Sequence, residues 1–324
     1  QRRQDIRLLH DAMGIHRWKL FRRVEQQERH AMLPQRVQVL RGFKLLSVIA
    51  GDDKKGVAVP RLFLGGGEKL LQRIITEQRT GSNLFDVVTN SGMEVYLLAK
   101  MGLLARYVSP EAQAFFADSR DPAGRWVDMY SNLRVIALNT RSVTKEKIPQ
   151  RYEDLLNPAW KGQIGFPEGQ VAWYATMLRV MGEESGRKFF QGLARQDLQF
   201  RAAPVLIAQF VAAGEFNLGF VYENQVLRIK KRGAPIDVAP LPFVTKNMHP
   251  LALSAAAPHA NAGKLFIDYV LSKEGQLFIK NLGRVISRAD IPQEEFARIK
   301  LIPEDVAIAD RIKQVTEDYK KYLQ

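Results

Sequence analysis

The sequence contains no cysteine. That absence excludes disulfide bonds, thiolate metal sites and cysteine nucleophiles together. Long hydrophobic runs are also missing, because no apolar stretch reaches the roughly 18–20 residues that a membrane-spanning helix needs. Histidine is scarce, with five residues in the chain, and no two of them have the spacing of a metal site. We therefore expect no resident metal and no cofactor.

Motifs of known catalytic sites are absent as well. The chain has no Gly-x-Ser-x-Gly elbow, no convincing triad and no pair of catalytic carboxylates. Its one glycine run, Gly65-Gly66-Gly67, lacks the Lys-Ser/Thr that follows in a phosphate-binding loop. The sequence gives little reason to expect an enzyme.

The composition is that of a globular protein with a basic surface. The chain has 324 residues, 46% of them hydrophobic and 25% charged, which is enough for two lobes with separate cores. Its formal charge is +14, and residues 1–58 hold 13 Lys and Arg against 6 Asp and Glu. A basic balance can indicate a polyanionic partner, but a solvated surface is the more common explanation.

A regular succession of strand, turn and helix begins at Val57. A strand at 57–64 precedes the three glycines, a helix at 68–79 follows, and a second strand is predicted at 83–89. Ser91 and Glu94 have the spacing of a capping box at the start of the next helix. This order indicates an α/β protein built on a parallel sheet. Further strands are predicted at 133–138, 163–166, 216–222, 236–239 and 249–255, further helices at 170–182, 184–195, 204–213 and 224–231, and a mostly helical segment at 260–324.

The stretch RYEDLLNPAWKGQIGF at 151–166 connects the two halves of this pattern. Its first residues form one helical turn, which Asn157-Pro158 ends because a residue before proline is displaced from the helical region. Trp160 can bury a large ring beside that stop. Composition alone predicts a helix, a turn and a strand here.

Polar side chains follow several predicted strands, at the end where open α/β sheets bind ligands. Helix amino termini at the same places offer backbone donors to an anion or a polar solute. Each such residue, taken alone, is as readily a helix cap or a surface residue, and the case depends on their convergence. The candidate ligand-binding residues are Gly66, Gly67, Asn90, Ser91, Glu168, Gln170, Tyr222 and Asn224.

Several motifs, taken in order, resemble the ferric-ion-binding-like family of bacterial ABC-transporter solute-binding proteins. The resemblance covers roughly residues 59–300 and depends on the order of the motifs rather than on any single one. The motifs are GGGEKLLQRIITEQRTGSNLFDVVTNSGMEVYLL at 65–98, RVIALNT at 134–140, RYEDLLNPAWKG at 151–162, LIAQFVAAGEFNLGFVYEN at 206–224, RGAPID at 232–237 and APHANAGKLFIDYVLSKEGQ at 257–276.

The resemblance implies a two-lobed type II periplasmic-binding-protein fold of the α/β class, with hinge crossover strands. Residues 59–140 and 246–324 would form lobe 1, and 141–245 would form lobe 2. The crossover strands would be 133–139 and 244–255. The family holds a solute in the cleft by hinge closure and delivers it to an ABC permease in the inner membrane.

The chain departs from the iron-binding members at the ligand positions. Those members have paired tyrosines after the strand that ends here at Tyr222, whereas this chain has Tyr222-Glu223. A metal-ligating glutamate of the first lobe is replaced by Ser91. Ferric iron prefers hard anionic oxygen ligands, and this set is poor in them. A small anionic or polar solute, or a metal complex, is expected instead of bare ferric ion, with Tyr222 as the first contact.

Residues 1–58 depart from the family pattern altogether. The first helix, first strand and ligand-touching loop that are usual in the family are not recognisable in this segment. No intact signal peptide is visible. Either the segment is strongly divergent or the translated sequence is wrong upstream of about Val57. The family implies a periplasmic protein, expected to be a monomer without a nucleic-acid partner.

One alternative comes from another functional class. A ligand-sensing LysR-like transcription regulator joins a DNA-binding segment to the same two-lobed fold, and 1–58 is basic and partly helical in pattern. Against this reading, the segment shows no clear helix-turn-helix.

Overall fold

The computed structural model describes residues 62–64, 67–293 and 299–323. The predictions for residues 1–58 therefore lie outside the described residues. Nine α-helices and nine strands occur in the described part. The helices are α1 (Gly67–Arg79), α2 (Gly92–Lys100), α3 (Val171–Met181), α4 (Glu183–Ala194), α5 (Pro204–Ala213), α6 (Glu223–Lys230), α7 (Ala260–Leu271), α8 (Lys273–Asn281) and α9 (Ile312–Leu323). The strands are β1 (Leu62–Leu64), β2 (Val87–Thr89), β3 (Trp126–Asn139), β4 (Ile164–Pro167), β5 (Gln199–Arg201), β6 (Leu218–Tyr222), β7 (Ile236–Val238), β8 (Phe243–Leu253) and β9 (Lys300–Pro303).

All nine strands belong to one hydrogen-bonded sheet with the order β1-β2-β8-β3-β6-β4-β5, in which β7 pairs with β3 and β9 with β8. The sheet is mixed rather than parallel, which corrects the sequence prediction. The pairs β1–β2, β4–β5, β4–β6 and β8–β9 are parallel, but β3 and β8 run antiparallel to each other. Periodicity predicts that a segment is a strand, whereas its direction depends on partners far away in the chain.

The two long strands β3 and β8 connect both halves of the sheet. They pair from Trp126 opposite Ala252 to Arg134 opposite Thr245, with a bulge between Asp128 and Tyr130. They correspond to the predicted crossover segments 133–139 and 244–255, although β3 begins seven residues earlier than expected and β8 ends two residues earlier. Because they continue through both halves, the strands of 141–245 are hydrogen-bonded to the same sheet as β1 and β2.

The hydrophobic core has separate clusters. One lies around Trp173, Phe190 and Phe166, and a smaller one around Ile74, Phe85 and Leu98. The last helix, α9, contributes Val315, Tyr319 and Leu323 to the first cluster, against α3 and α4. The sequence grouped this helix with 59–140, but its apolar face packs on elements of 141–245.

The connection at 151–166 has the predicted form. Tyr152–Leu156 and Pro158–Trp160 are short 3₁₀ helices, and the side chain of Asn157 accepts a hydrogen bond from Ala159 N at 3.0 Å. Trp160 is buried, and its Nε1 donates to the carbonyl of Asp154 at 3.1 Å. Strand β4 then begins at Ile164.

Other local predictions are confirmed or corrected by the backbone. Pro204 opens α5, and Gly214 ends it in the left-handed region at φ +88°, as predicted. The short strands β5 and β9 were not predicted, because three or four residues carry too little periodicity. Within the described residues, no helix has both the length and the apolar character required to cross a membrane.

Candidate functional site

The paired strands β3 and β8 present one polar face. Side chains alternate between the two faces of a strand, so Tyr130, Asn132 and Arg134 share a face. These three are partly exposed, while Ser131, Leu133 and Val135 between them are buried. On β8, Asn247 and His249 are likewise partly exposed, and register places them opposite Asn132 and Tyr130.

A cavity of about 240 Å³ lies beside this face. The amino-terminal ends of two helices reach it, α2 at Ser91 and Gly92 and α3 at Gly169 to Ala172. Helix amino termini carry unpaired backbone N–H groups and a partial positive charge. The full lining is Ser91, Gly92, Met93, Glu94, Arg134, Gly169, Val171, Ala172, Asn247, Met248, Glu304, Asp305, Val306 and Ile312.

Arg134 is the cationic side chain of this cavity, and Glu304 and Gln170 hold it in place. Its Nε donates to the carboxylate of Glu304, which β9 carries into the cavity, and its Nη1 donates to Oε1 of Gln170 at the start of α3. Asn247 Nδ2 also donates to Glu304, at 2.9 Å. Burial alone would lower the pKa of Arg134, but Glu304 and Tyr222 outweigh it and the pKa is raised. This arginine is therefore permanently charged, and the carboxylate of Glu304 is its counter-ion.

Tyr222 stands next to Arg134 at the end of β6. The two residues face each other in the β3–β6 register, and the guanidinium carbon lies 5.0 Å from the centroid of the phenol ring. Burial raises the pKa of the Tyr222 hydroxyl, with Arg134 opposing the shift and Glu304 and Glu94 adding to it. The phenol is thus a neutral hydrogen-bonding group at physiological pH.

A second group of side chains continues the same face away from the cavity. Asn132 Nδ2 lies 2.8 Å from His249 Nε2, and the His249 ring stacks on Tyr130 with 4.6 Å between centroids. Arg284 Nη1 donates to Asn132 Oδ1 at 2.9 Å, and Asn224 Nδ2 donates to the same oxygen at 3.3 Å. Four separate chain segments thus meet at one asparagine.

Asp128 supports this group from within the core. Its carboxylate is fully buried and accepts hydrogen bonds from Ser131 Oγ and Ser287 Oγ, both at 2.7 Å, and from His249 N at 2.9 Å. Burial raises the pKa of Asp128, while the hydroxyls of Ser287 and Ser131 counteract the shift. The bulge of β3 is therefore fixed to β8 and to the segment after α8.

The family of this chain follows from comparison with known proteins. The family model of bacterial extracellular solute-binding proteins matches residues 97–296, more than half of the chain. The chain belongs to this family. This is a family of solute-binding proteins and not of enzymes, as the sequence predicted. The match also favours the solute-binding interpretation over the LysR-like regulator.

Solved structures of other proteins share the fold of this chain. Iron-bound HitA from Pseudomonas aeruginosa is 20% identical, with a TM-score of 0.70 over 83% of this chain and 92% of that one. AfuA from Actinobacillus pleuropneumoniae, with fructose-6-phosphate bound, is 22% identical, with a TM-score of 0.71 over 90% and 96%. A ferric binding protein from Campylobacter jejuni is 19% identical, with a TM-score of 0.72 over 87% and 95%. These neighbours confirm the predicted type II periplasmic-binding fold.

A curated relative in Haemophilus influenzae, an uncharacterized protein, is 26% identical over 191 residues. The alignment spans 55% of each chain, so this solute-binding protein covers about half the length of that relative.

The structure brings several of the predicted residues of this solute-binding protein together. Ser91 lines the cavity, Gln170 and Tyr222 contact Arg134, and Asn224 joins Asn132. Asn90 is buried beside the cavity, where its Oδ1 accepts from Ser91 N at 2.9 Å.

The remaining predicted residues are Glu168, Gly67 and Gly66. Glu168 is exposed, and its carbonyl accepts from Gln170 Nε2 at 2.7 Å. Gly67 is the first residue of α1. Gly66 lies outside the described residues. The predicted capping box at Ser91 has the right position but a different bond, because the Ser91 hydroxyl donates to the Glu94 carboxylate and makes no bond to the helix backbone.

Sequence reasoning missed the polar face of the crossover strands. The prediction selected only residues that follow the ends of strands. It therefore did not include Tyr130, Asn132, Arg134, His249 and Arg284. The signal was present in the alternation Tyr-x-Asn-x-Arg at 130–134 and Asn-x-His at 247–249. Polar residues at every second position of an otherwise apolar strand indicate an accessible face.

The donor set of this solute-binding protein fits a bare metal ion poorly. Within the described residues, no group of three or more histidine, aspartate and glutamate side chains is arranged to hold a metal. Three carboxylates line the cavity, and each has a partner: Glu94 is bonded to Ser91, Glu304 to Arg134, and Asp305 to the backbone N–H of Ala307. Besides these carboxylates, the cavity offers hydrogen-bond donors from Ser91, Asn247 and two helix amino termini.

Proposed function

We propose that this chain is the solute-binding component of an ABC importer. It captures a small anionic or polar solute, or a metal complex, in the cleft beside β3 and β8, and closure of two lobes about these strands delivers the solute to a permease in the inner membrane. A ligand that binds the closed form better shifts the population toward it. The protein works in the periplasm, as a monomer and without nucleic acid.

One observation carries this proposal: two helix amino termini and Arg134 meet at a single cavity of about 240 Å³. The termini come from distant parts of the sequence, α2 and α3, and the strands beneath them are the long pair that joins the halves of the sheet. Concave sites with a few convergent polar groups are where small ligands bind.

The proposed lobes follow the sequence with one modification. Among the described residues, 62–140 together with 246 to about 311 form lobe 1, and 141–245 form lobe 2. We add α9 to lobe 2, because Tyr319 packs edge-on against Tyr174 and the Tyr174 hydroxyl donates to Asp318 at 2.9 Å. Hinge closure then bends β3 and β8 between the two lobes.

The class of solute follows from the groups that surround the cavity. Backbone N–H groups at helix amino termini bind anions, and Ser91 and Asn247 add neutral hydrogen-bonding groups beside the carboxylates of Glu94, Glu304 and Asp305. HitA is described as iron-bound and AfuA as bound to fructose-6-phosphate. An IdiA (FutA) protein of Trichodesmium is described in complex with iron and citrate. For this chain, an organic anion or a metal complex fits better than bare iron.

The experiment is native mass spectrometry of the protein with a panel of citrate, ferric citrate, fructose 6-phosphate and ferric ion. Ala172→Trp fills the cavity from the first turn of α3 and should abolish binding. Ala213→Trp, at the exposed end of α5, is the matched control and should bind as the wild type does. Binding of ferric ion alone, with no organic anion, would contradict the proposed solute class.

A further inference from the structure

Arg284 follows the turn that ends α8. Gly283 turns the chain in the left-handed region at φ +77°, and Arg284 then places its guanidinium over the ring of Tyr130, 4.9 Å from the centroid. Arg284 is half-buried, and Asn132 Oδ1 accepts from its Nη1. A guanidinium has five N–H donors, so most of its hydrogen-bonding capacity is still available.

None of the described residues neutralises the charge of Arg284. In the part of the chain that the structure describes, no carboxylate lies within ion-pair distance of it. The neighbouring arginines differ, because Arg134 is paired with Glu304, and Arg288 with Glu111 and Asp290. When a half-buried cation has no counter-ion, no ion pair offsets the free-energy cost of its partial desolvation. An anion bound there would remove that cost.

The hydrogen bonds of Asn132 also determine which ring nitrogen of His249 carries the proton. Arginine can only donate, so the atom of Asn132 that faces Arg284 is the oxygen, and its amide nitrogen faces His249. His249 Nε2 must then accept, which leaves the ring proton on Nδ1. Among the described residues, Nδ1 has no hydrogen-bond partner, and His249 as a whole is partly exposed.

We propose that Arg284 and His249 form a subsite for an anionic oxygen group of the solute, a carboxylate or a phosphate, beside the cavity. The inference rests on the proposed function and names the end of the cleft that holds the anion. Arg134 is neutralised by Glu304 and acts as a positioning residue for Gln170 and Tyr222 rather than as the solute's counter-ion.

The dimensions of the face define the solute further. Asn132 is two residues from Arg134 on the same face of β3, a separation of about 7 Å. A solute whose anion sits at Arg284 can therefore extend past Tyr222 toward Ser91 and the helix amino termini. Such a solute is an organic anion with a neutral, hydrogen-bonding body.

The test titrates inorganic phosphate and, in a separate arm, malonate into the full chain, with affinity measured by isothermal titration calorimetry. The two arms distinguish phosphate from carboxylate. We expect one of the anions to bind the wild type and Arg284→Gln to weaken that binding at least tenfold. Arg284→Lys keeps the charge and should recover part of the affinity. Arg228→Gln removes an exposed charge from α6 and should change nothing.

Two outcomes would overturn the inference. If neither anion binds to the wild type, the proposed anion site is wrong. The native mass-spectrometry panel would still test the proposed function separately. If Ala172→Trp abolishes binding and Arg284→Gln leaves it unchanged, the cleft binds solute but Arg284 is not its counter-ion. Circular dichroism melts of each variant establish that every protein compared is folded.

Discussion

The guanidinium of Arg134 lies over the ring of Tyr222, 5.0 Å from its centroid, and the two residues are register partners on β3 and β6. The arginine is immobilised in turn by Glu304 and Gln170. Tyr222 is thus oriented by a residue on β3, and a shift of that strand would move the phenol.

Removing the Tyr222 hydroxyl should weaken solute binding without unfolding the protein. Tyr222→Phe keeps the ring over Arg134 and loses one hydrogen bond, worth about 0.5–1.5 kcal/mol, or more if the partner is charged. Calorimetry with the solute identified by the panel measures this. Unchanged affinity, with an unchanged melting temperature, would remove Tyr222 from the site.

Breaking the ion pair of Arg134 should destabilise the fold. Arg134→Gln leaves the buried carboxylate of Glu304 without its cation, which costs about 3–5 kcal/mol. The double variant Arg134→Met, Glu304→Leu removes both charges and should cost less than Arg134→Met and Glu304→Leu together. Urea unfolding of the wild type, these two single variants and the double variant gives the coupling energy.

The matched control for this cycle is the exposed pair of Lys188 and Glu184, with side chains 72% and 84% accessible. Lys188→Gln should change the free energy of unfolding by less than about 0.5 kcal/mol. Equal costs for the buried and the exposed pair would contradict the assigned role of Arg134.

The stability of the protein should depend on His249 at acid pH. Burial, with Arg284 and Arg134 nearby, lowers the pKa of His249 from 6.5 to about 3. Between these values the unfolded chain binds one proton more than the folded chain, so stability is fully present above about pH 6.5 and falls as the pH decreases toward 3. The slope for one proton is about 1.4 kcal/mol per pH unit.

His249→Gln isolates this contribution, because glutamine can still accept from Asn132. Chemical denaturation of both proteins from pH 7 to pH 4 should give a difference in unfolding free energy that narrows as the pH falls. Parallel curves would show that His249 titrates normally in the folded protein.

Gly275 should tolerate no side chain. A Cβ added there would lie 2.2 Å from the carbonyl oxygen of Tyr269, a backbone atom that cannot rotate away. Gly275→Ala should therefore cost about 3 kcal/mol or more. Gly81→Ala, at φ +72° with no atom within 4 Å, should cost only the strain of a left-handed residue, about 1–2 kcal/mol. Similar costs for both variants in urea unfolding would contradict the close packing of α8 on the end of α7.

Much of the fold could be predicted from local patterns. Pro204 and Gly214 delimit α5, and Asn157-Pro158 ends a helical turn, because these signals act within a few residues. The mixed direction of the sheet could not be predicted in the same way, since β3 and β8 pair over more than a hundred residues. The packing of α9 on α3 is likewise a contact that local pattern does not encode.

Part of the candidate site is visible in the sequence for the same reason, and its role in binding stays a prediction. Ser91, Gln170 and Tyr222 follow strands, and that position is visible in the sequence. Arg284 and Glu304 reach the cleft from segments whose place depends on the whole fold, so no local rule could name them. Tyr130, Asn132 and His249 could have been found from their alternation, had the crossover strands been examined as a face.

The central claim is that the cavity beside β3 and β8 holds one small solute. Native mass spectrometry of the wild type and of Ala172→Trp with the anion and metal-complex panel tests it most directly. We expect one molecule of at least one organic anion or metal complex per wild-type chain, and none on Ala172→Trp. Equal occupancy of the two proteins, or a wild type that binds no member of the panel, would contradict the account.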